Sequence, residues 1–365
     1  KNKENYDLLV CSYGLVRNDI DELEQQNFFF SVLDEAHHIK NPKAHVSRAT
    51  KRLTAQHRLA LSGTPIENKL TDLWSLMDFL NPGYLGTLDR FENYYGQSKR
   101  KELSHKVTPL LLRRNKKDVL TELPPKTEEI LYCDLLPEQE KTYNKALKQA
   151  RNEVSQSSQG LQIFAALTRL RQICCDSRLH YKDGLPLDYP RSEVSAKLNA
   201  LKELLSNIQA EGSSVLIFSQ FTSMLDLVEK ELSGTIKQFR IDGSTSISKR
   251  PQIVDEFNDS KDSSAFLLSL KAAGTGLTLT KADYVILFDP WWNPAAEQQA
   301  IDRCHRIGQE NPVFVYRLVT RNTIEEKIIH LQNEKLAMIS DVLDDEREIA
   351  QALSKEDLAN LLSDH

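Results

Sequence analysis

Thirteen glycines are spread through the 365 residues, and none of them is followed by lysine. The sequence therefore lacks G-x-x-x-x-G-K-[ST], the loop whose backbone amides and lysine cradle a triphosphate. The five cysteines Cys11, Cys133, Cys174, Cys175 and Cys304 form no C-x-x-C pair. That spacing argues against a zinc site and a disulfide framework, and it suits a reducing compartment, cytosolic or nuclear. No apolar run approaches the roughly 18 residues a membrane helix needs. The opening KNKENYDLLV lacks the apolar centre of a signal peptide. A net charge of −5 provides no overall positive field, so nucleic-acid binding would have to rest on local patches and backbone amides. His37, His38 and His45 stand in no H-E-x-x-H order, which removes the usual zinc-hydrolase arrangement.

What is present reads as an α/β protein long enough for two domains or more. Short apolar runs fall into two sets, at 6–12, 28–35 and 57–65, and at 213–221, 236–244, 264–276, 283–290 and 312–320. Runs this continuous suit strands buried on both faces of a parallel sheet. Amphipathic stretches such as SMLDLVEKEL and KRPQIVDEFN lie between them, as an α/β alternation requires. Residues 66–120 and 135–180 read as helical. Pro124-Pro125 breaks the chain between those regions and predicts a linker. RNEVSQSSQG, at 151–160, reads as a loop.

Three motifs carry chemistry. In FFFSVLDEAHHIKNP an apolar strand ends in Asp34-Glu35, which puts two carboxylates at the carboxyl edge of a sheet, where α/β folds bind ligands. Such a pair suits nucleotide hydrolysis, with Asp34 holding Mg²⁺ and Glu35 orienting and deprotonating the attacking water. The plain alternative is a solvated acidic turn. The next strand ends in LSGTPIEN, where Ser62, Gly63 and Thr64 form a hydroxyl-lined turn. One helical segment separates the two strand ends, so a parallel arrangement makes them neighbours. In EQQAIDRCHRIGQ (297–309), a helix would put Gln299, Arg303 and Arg306 on one face, as arginines that meet a γ-phosphate require. The alternative is a solvated basic face paired with Asp302 or Glu297. SLKAAGTGLTLT places Gly274 and Gly276 after a strand, where their amides can approach phosphates.

The ordered series DEAHHIKN, LSGTPIENKLTDLWSLMDFLNPG, PLLLRRNKKDV, LRQICC, KLNALKELL, VLIFSQF, DGSTSISKR and SLKAAGTGLTLTKADYVILFDPWWNPAAEQQAIDRCHRIGQ resembles the Swi/Snf-type DNA translocases. These belong to the superfamily-2 helicase-like ATPases, and the resemblance runs from about residue 6 to 331. It implies two RecA-like lobes with helical insertions, using ATP and Mg²⁺ and gripping duplex DNA, with a DNA-bound protein as a further target; the oligomeric state stays open, with a monomer favoured. The implied divisions are lobe one at 1–65, its helical protrusion at 66–120, a linker at 121–134, a second protrusion at 135–190, lobe two at 191–331 and terminal helices at 332–365.

Carried over by motif, Asp34 and Glu35 take the metal and water roles, Arg303 and Arg306 the arginine fingers, and Gln299 the polar position before them. His37, Gly274 and Gly276 fall on the nucleotide side. Ser62, Thr64, Ser219, Gln220, Ser244, Thr245, Lys271, Thr275 and Trp292 fall in motifs lining the DNA track. Hydroxyls, amides and a lysine suit sugar-phosphate contacts that carry no sequence information. One departure is Asp176-Ser177, where the family often has His-Pro. By the same resemblance the chain begins inside lobe one, with the phosphate loop expected upstream of residue 1. The chain alone is then expected to be inactive. The alternative function is a non-catalytic nucleic-acid-binding or regulatory module.

Overall fold

The computed structural model describes residues 7–62, 70–95, 99–112, 114, 123–156, 160–181, 184–273, 276–292 and 294–332. The chain divides into two compact units, 1–115 and 116–365.

In the first unit, β1 (Asn27–Leu33) and β2 (Thr54–Ala60) form a two-stranded parallel sheet, with Asn27 opposite Thr54 and Leu33 opposite Ala60. Parallel neighbours need a crossover, and the helix His45–Arg52 supplies it. Its Ala49 packs with Val16, Ile20, Leu23 and Leu53. The helix Leu70–Leu80 has two apolar sides. Leu76 and Phe79 close over Leu33, Ala36 and Ile39. Leu73 and Met77 face Phe91 and Tyr95 of the helix Leu88–Tyr95 and Leu103 and Val107 of the helix Arg100–Val107. The strand expected at 6–12 is corrected. Residues 7–12 join no ladder, Leu8 and Val10 are 78% and 83% exposed, and Ser12 ends the segment by capping the helix Tyr13–Asn18.

The second unit is built on six parallel strands, β3 (Lys126–Cys133), β4 (Val215–Ser219), β5 (Lys237–Ile241), β6 (Ser264–Ser269), β7 (Tyr284–Leu287) and β8 (Val313–Thr320). Their order across the sheet is β3-β8-β7-β4-β6-β5. Side chains alternate between its faces as a pleated strand requires. Leu216, Phe218, Phe266 and Leu268 enter one core with the helices Gly160–Cys175, Arg250–Asp259 and Ile324–Leu331. Val215, Ile217, Ala265 and Leu267 enter the other with Ala196–Ala210 and Thr222–Glu231. Every residue of β4 and of β6 is buried, which is why both read as unbroken apolar runs.

Two expectations for this unit need correcting. The stretch read as a linker at 121–134 contains β3. Pro125 accepts the Val313 N–H (3.0 Å), and the ladder continues from there. As an edge strand with Thr127, Glu128 and Glu129 exposed, β3 lacks the continuous apolar pattern of its neighbours. The loop read at 151–160 is in large part helix, since Pro137–Gln156 runs through its first six residues. Residues 157–159, and the terminal helices expected beyond Gln332, lie outside the described residues. Among the described residues no helix is long and apolar enough to cross a membrane.

Candidate functional site

At the carboxyl end of β1 the chain passes through Asp34 into Glu35, whose backbone is left-handed at φ 49° and ψ 53°. A side chain other than glycine in that region costs about 1–3 kcal/mol, so surrounding contacts must hold it there. They are present. Tyr13 donates its hydroxyl to the Asp34 carbonyl (2.8 Å), Asp34 Oδ1 accepts the Glu35 N–H (3.0 Å), and Ala36 N–H donates to the Leu61 carbonyl (2.8 Å). Leu61 in turn donates to Leu33 (2.7 Å), which sets Ser62 beside the acidic turn as the strand order predicts. Thr64 lies outside the described residues.

His37 Nδ1 stands 3.2 Å from Glu35 Oε2, its ring lies 4.3 Å from that of His38, and the His38 ring is 5.0 Å from Tyr13. Tyr13, Asp34, Glu35, His37 and His38 thus form a closed circuit of contacts. Burial, followed by the charges of Asp34 and Glu35, pushes the Tyr13 phenol above its ordinary pKa and keeps it a donor. Tyr13 was missed in the sequence, because a contact across 21 positions leaves no local pattern.

Among the described residues no three His, Cys, Asp or Glu side chains gather as a metal site. Asp34 and Glu35 together fit Mg²⁺, which commonly takes one or two carboxylates and completes its shell with phosphate and water oxygens.

In the second unit the arginine segment departs from expectation. The helix ends at Ile301, so Arg303 and Arg306 lie in the turns that follow it and share no helical face with Gln299. Beyond the helix end, the Arg303 carbonyl accepts the Leu279 N–H (2.9 Å), a tertiary partner in place of a helical one, and Gly308 turns the chain at φ 98°. Arg303 is buried, whereas Arg306 is exposed and donates to Thr278 Oγ1 (3.2 Å). Gln299 is half-buried within the helix Pro294–Ile301. The anticipated partner Glu297 is buried and instead accepts from Arg317 Nε (3.2 Å) and the Trp291 N–H (2.7 Å); burial raises its pKa.

The residues expected along a DNA track are distributed unevenly. Ser244 is exposed, and both its N–H (2.8 Å) and its hydroxyl (2.6 Å) donate to Asp242 Oδ1, while Thr245 Oγ1 accepts the Asp242 N–H (3.1 Å). Lys271 is in the one-turn helix Leu270–Ala273 and Gly276 has φ 71°; Gly274 and Thr275 lie outside the described residues. Ser219 and Trp292, expected on a contact surface, are corrected to interior positions, 0% and 1% exposed. Ser219 Oγ donates to Asp289 Oδ1, and the Gln220 N–H lies 3.3 Å from the same oxygen. Burial raises Asp289 to a pKa of about 6, against the opposing pull of Arg171 and Ser219. Arg171 and Asp289 were missed, and Glu297 was read only as a surface partner. A charge inside an apolar run, as in DYVILFDP, was the available signal.

The Asp176-Ser177 departure builds its own turn. Asp176 caps the short helix Ser177–Leu179 and binds the Arg178 side chain (2.8 Å).

A model of the SNF2-related domain matches residues 1–179, and one of the helicase conserved C-terminal domain matches 196–308. An uncharacterised ATP-dependent helicase of Mycoplasma genitalium is 38% identical over 362 residues, covering 97% of this chain and 34% of that protein. The human TATA-binding protein-associated factor 172 is 37% identical over 426 residues, covering 99% and 23% respectively. The chain thus spans about a third or less of these two relatives. Among solved structures, the SWI2/SNF2 ATPase core of Sulfolobus solfataricus in complex with dsDNA matches at a TM-score of 0.55 and 33% identity. That match covers all of this chain and 79% of the solved one.

Proposed function

The chain belongs to the SNF2-related family of helicase-like ATPases, and from that premise we propose that it is part of a DNA-dependent ATPase. The enzyme couples ATP hydrolysis to movement along duplex DNA and to remodelling of protein–DNA complexes. The observation that carries this reading is the acidic turn. A left-handed Glu35 is held at the end of a parallel strand by Tyr13 and His37, beside Asp34 and the exit of β2. Strain retained and braced at a strand end is the mark of a functional position.

In this reading Asp34 carries Mg²⁺, Glu35 activates water, and His37 orients Glu35. Arg303 and Arg306 answer the charge that develops on the γ-phosphate, with Gln299 ahead of them. Ser62, Gln220, Ser244, Thr245 and Lys271 serve the DNA backbone. Residues 1–65 and 191–331 supply the lobe cores, and 66–120 and 135–190 their helical insertions.

Because no G-K-[ST] loop occurs in the sequence, the chain by itself has no grip on the phosphates and does not turn over ATP. A phosphate-release assay with duplex DNA tests this directly: the chain alone releases none, and ordinary turnover would overturn the reading. Joined to a segment bearing the phosphate loop, the protein hydrolyses ATP. In that form Glu35→Gln keeps ATP binding and abolishes turnover. If the joined form binds duplex DNA but never hydrolyses ATP, the second reading, a non-catalytic nucleic-acid-binding module, takes its place.

A further inference from the structure

Among the described residues of the second unit two ion pairs have both partners buried, and they are built differently. Lys197 donates to Glu325 (2.8 Å) and to the carbonyls of Phe288 and Leu318 (both 2.9 Å), which uses all three of its donors. Glu325 also accepts the Thr320 N–H (2.9 Å). This pair ties the ends of β7 and β8 to the helix Ala196–Ala210 and is fully satisfied.

Arg171, on the helix Gly160–Cys175, is as deeply buried but reaches elsewhere. It donates to the Pro290 carbonyl (2.5 Å) and lies 3.7 Å from Asp289. Its guanidinium sits 5.6 Å from the Phe221 ring and 5.2 Å from the Trp292 ring. Asp289 in turn holds Ser219 and the Gln220 N–H. One side chain of the helical insertion therefore gathers the segments leaving β4 and β7, which are neighbours in the sheet. Those segments leave from the carboxyl ends of the strands, the edge where α/β sheets meet their ligands. Three buried donors here, Arg171 Nε, Gln220 Nε2 and Trp292 Nε1, have no acceptor among the described residues. Unsatisfied buried donors are rare, and their clustering sets this pair apart from the closed Lys197–Glu325 pair.

We propose that Arg171 is a positioning residue, which sets the exits of β4 and β7 so that the segment following Gln220, which opens on the exposed Thr222 and Ser223, meets the DNA backbone. This rests on the reading of the chain as a duplex-DNA binder. It assigns the helical insertion a task, that of transmitting its own placement to the contact edge through one guanidinium and one carboxylate.

The test uses the chain with Arg171→Lys, Ser219→Ala and, for the structural pair, Lys197→Met. Three quantities are measured: affinity for a fluorescent duplex at two salt concentrations, amide hydrogen exchange at Gln220 and Phe221, and the melting midpoint. Arg171→Lys and Ser219→Ala are expected to weaken duplex binding about tenfold, the size of one charge-assisted hydrogen bond, and to speed exchange at both amides. Lys197→Met is expected to lower the melting midpoint while the folded protein keeps its duplex affinity. Unchanged exchange, or faster exchange with unchanged affinity in both Arg171→Lys and Ser219→Ala, overturns the proposal. An unsubstituted chain that binds no duplex overturns the DNA reading and the contact role with it, while exchange at Gln220 still reports whether Arg171 holds the strand exits.

Discussion

The two parallel sheets begin from the same sequence pattern and end in different environments. In the six-stranded sheet β4 and β6 are buried along their whole length, with a separate apolar core on each face. In the two-stranded sheet Phe29, Phe30 and Val32 of β1 are 61%, 57% and 52% exposed, and only Ser31 and Leu33 are buried. An apolar run states what a strand can bury, and the number of neighbours decides what it does bury. The charges follow the same division. The second unit contains Lys197–Glu325 and Arg171–Asp289 at 0–1% exposure. In the first unit, Arg52 pairs with Asp21 and Glu24 at the surface.

Substitutions can widen or close that contrast. The largest effect is expected from Lys197→Met, which strands Glu325 in the core. Loss of one partner of a buried pair costs about 3–5 kcal/mol, and urea unfolding followed by a probe in the second unit would register it. Next comes pH. Asp289 titrates near 6 when folded and near the ordinary aspartate value when unfolded, so the native state binds the extra proton between those values. Its contribution is fully present below about pH 4 and fades as pH rises through 6, a change of about 3 kcal/mol. Asp289→Asn should flatten that part of the stability–pH curve, and an unaltered curve would remove Asp289 as its source.

Smaller effects belong to the first unit. Tyr13→Phe deletes the hydroxyl that holds the Asp34 carbonyl, and should cost that unit about 1 kcal/mol with faster amide exchange at Ala36. Smallest of all, Arg52→Ala should leave the unfolding curve where it stands, because exposed pairs are screened and hold little net stability. A clear shift from Arg52→Ala would mean that the surface network does more for the small unit than its exposure suggests.

How much could be read in advance depended on the range of the interaction. Of the five later strands, β4 and β6 are buried throughout and β7 and β8 in most positions, and all five were legible as short runs between turns; β3 was not, since its first four residues, Lys126 to Glu129, are polar and three of them are exposed. The acidic turn and its neighbour Ser62 were legible through topology, because a helix between two parallel strands brings their ends together. The helix over 297–309 was overestimated: its spacing is helical, but the helix ends at Ile301, and beyond it the Arg303 carbonyl accepts from Leu279. Trp292 was placed at a surface by its motif and is buried beneath Arg171 and Phe164, contacts that span more than a hundred positions.

Local chemistry, then, was determined by the order of residues alone: that β1, β2 and β4 to β8 form, and that Asp34 and Glu35 follow one of them. Tertiary structure alone decided which polar groups are interior, that Glu35 is held left-handed by Tyr13 and His37, and that Arg171 joins two strand exits. The physical reason is that strand and turn preferences act within a few residues. Desolvation and hydrogen-bond satisfaction are settled only by whatever the folded chain brings alongside.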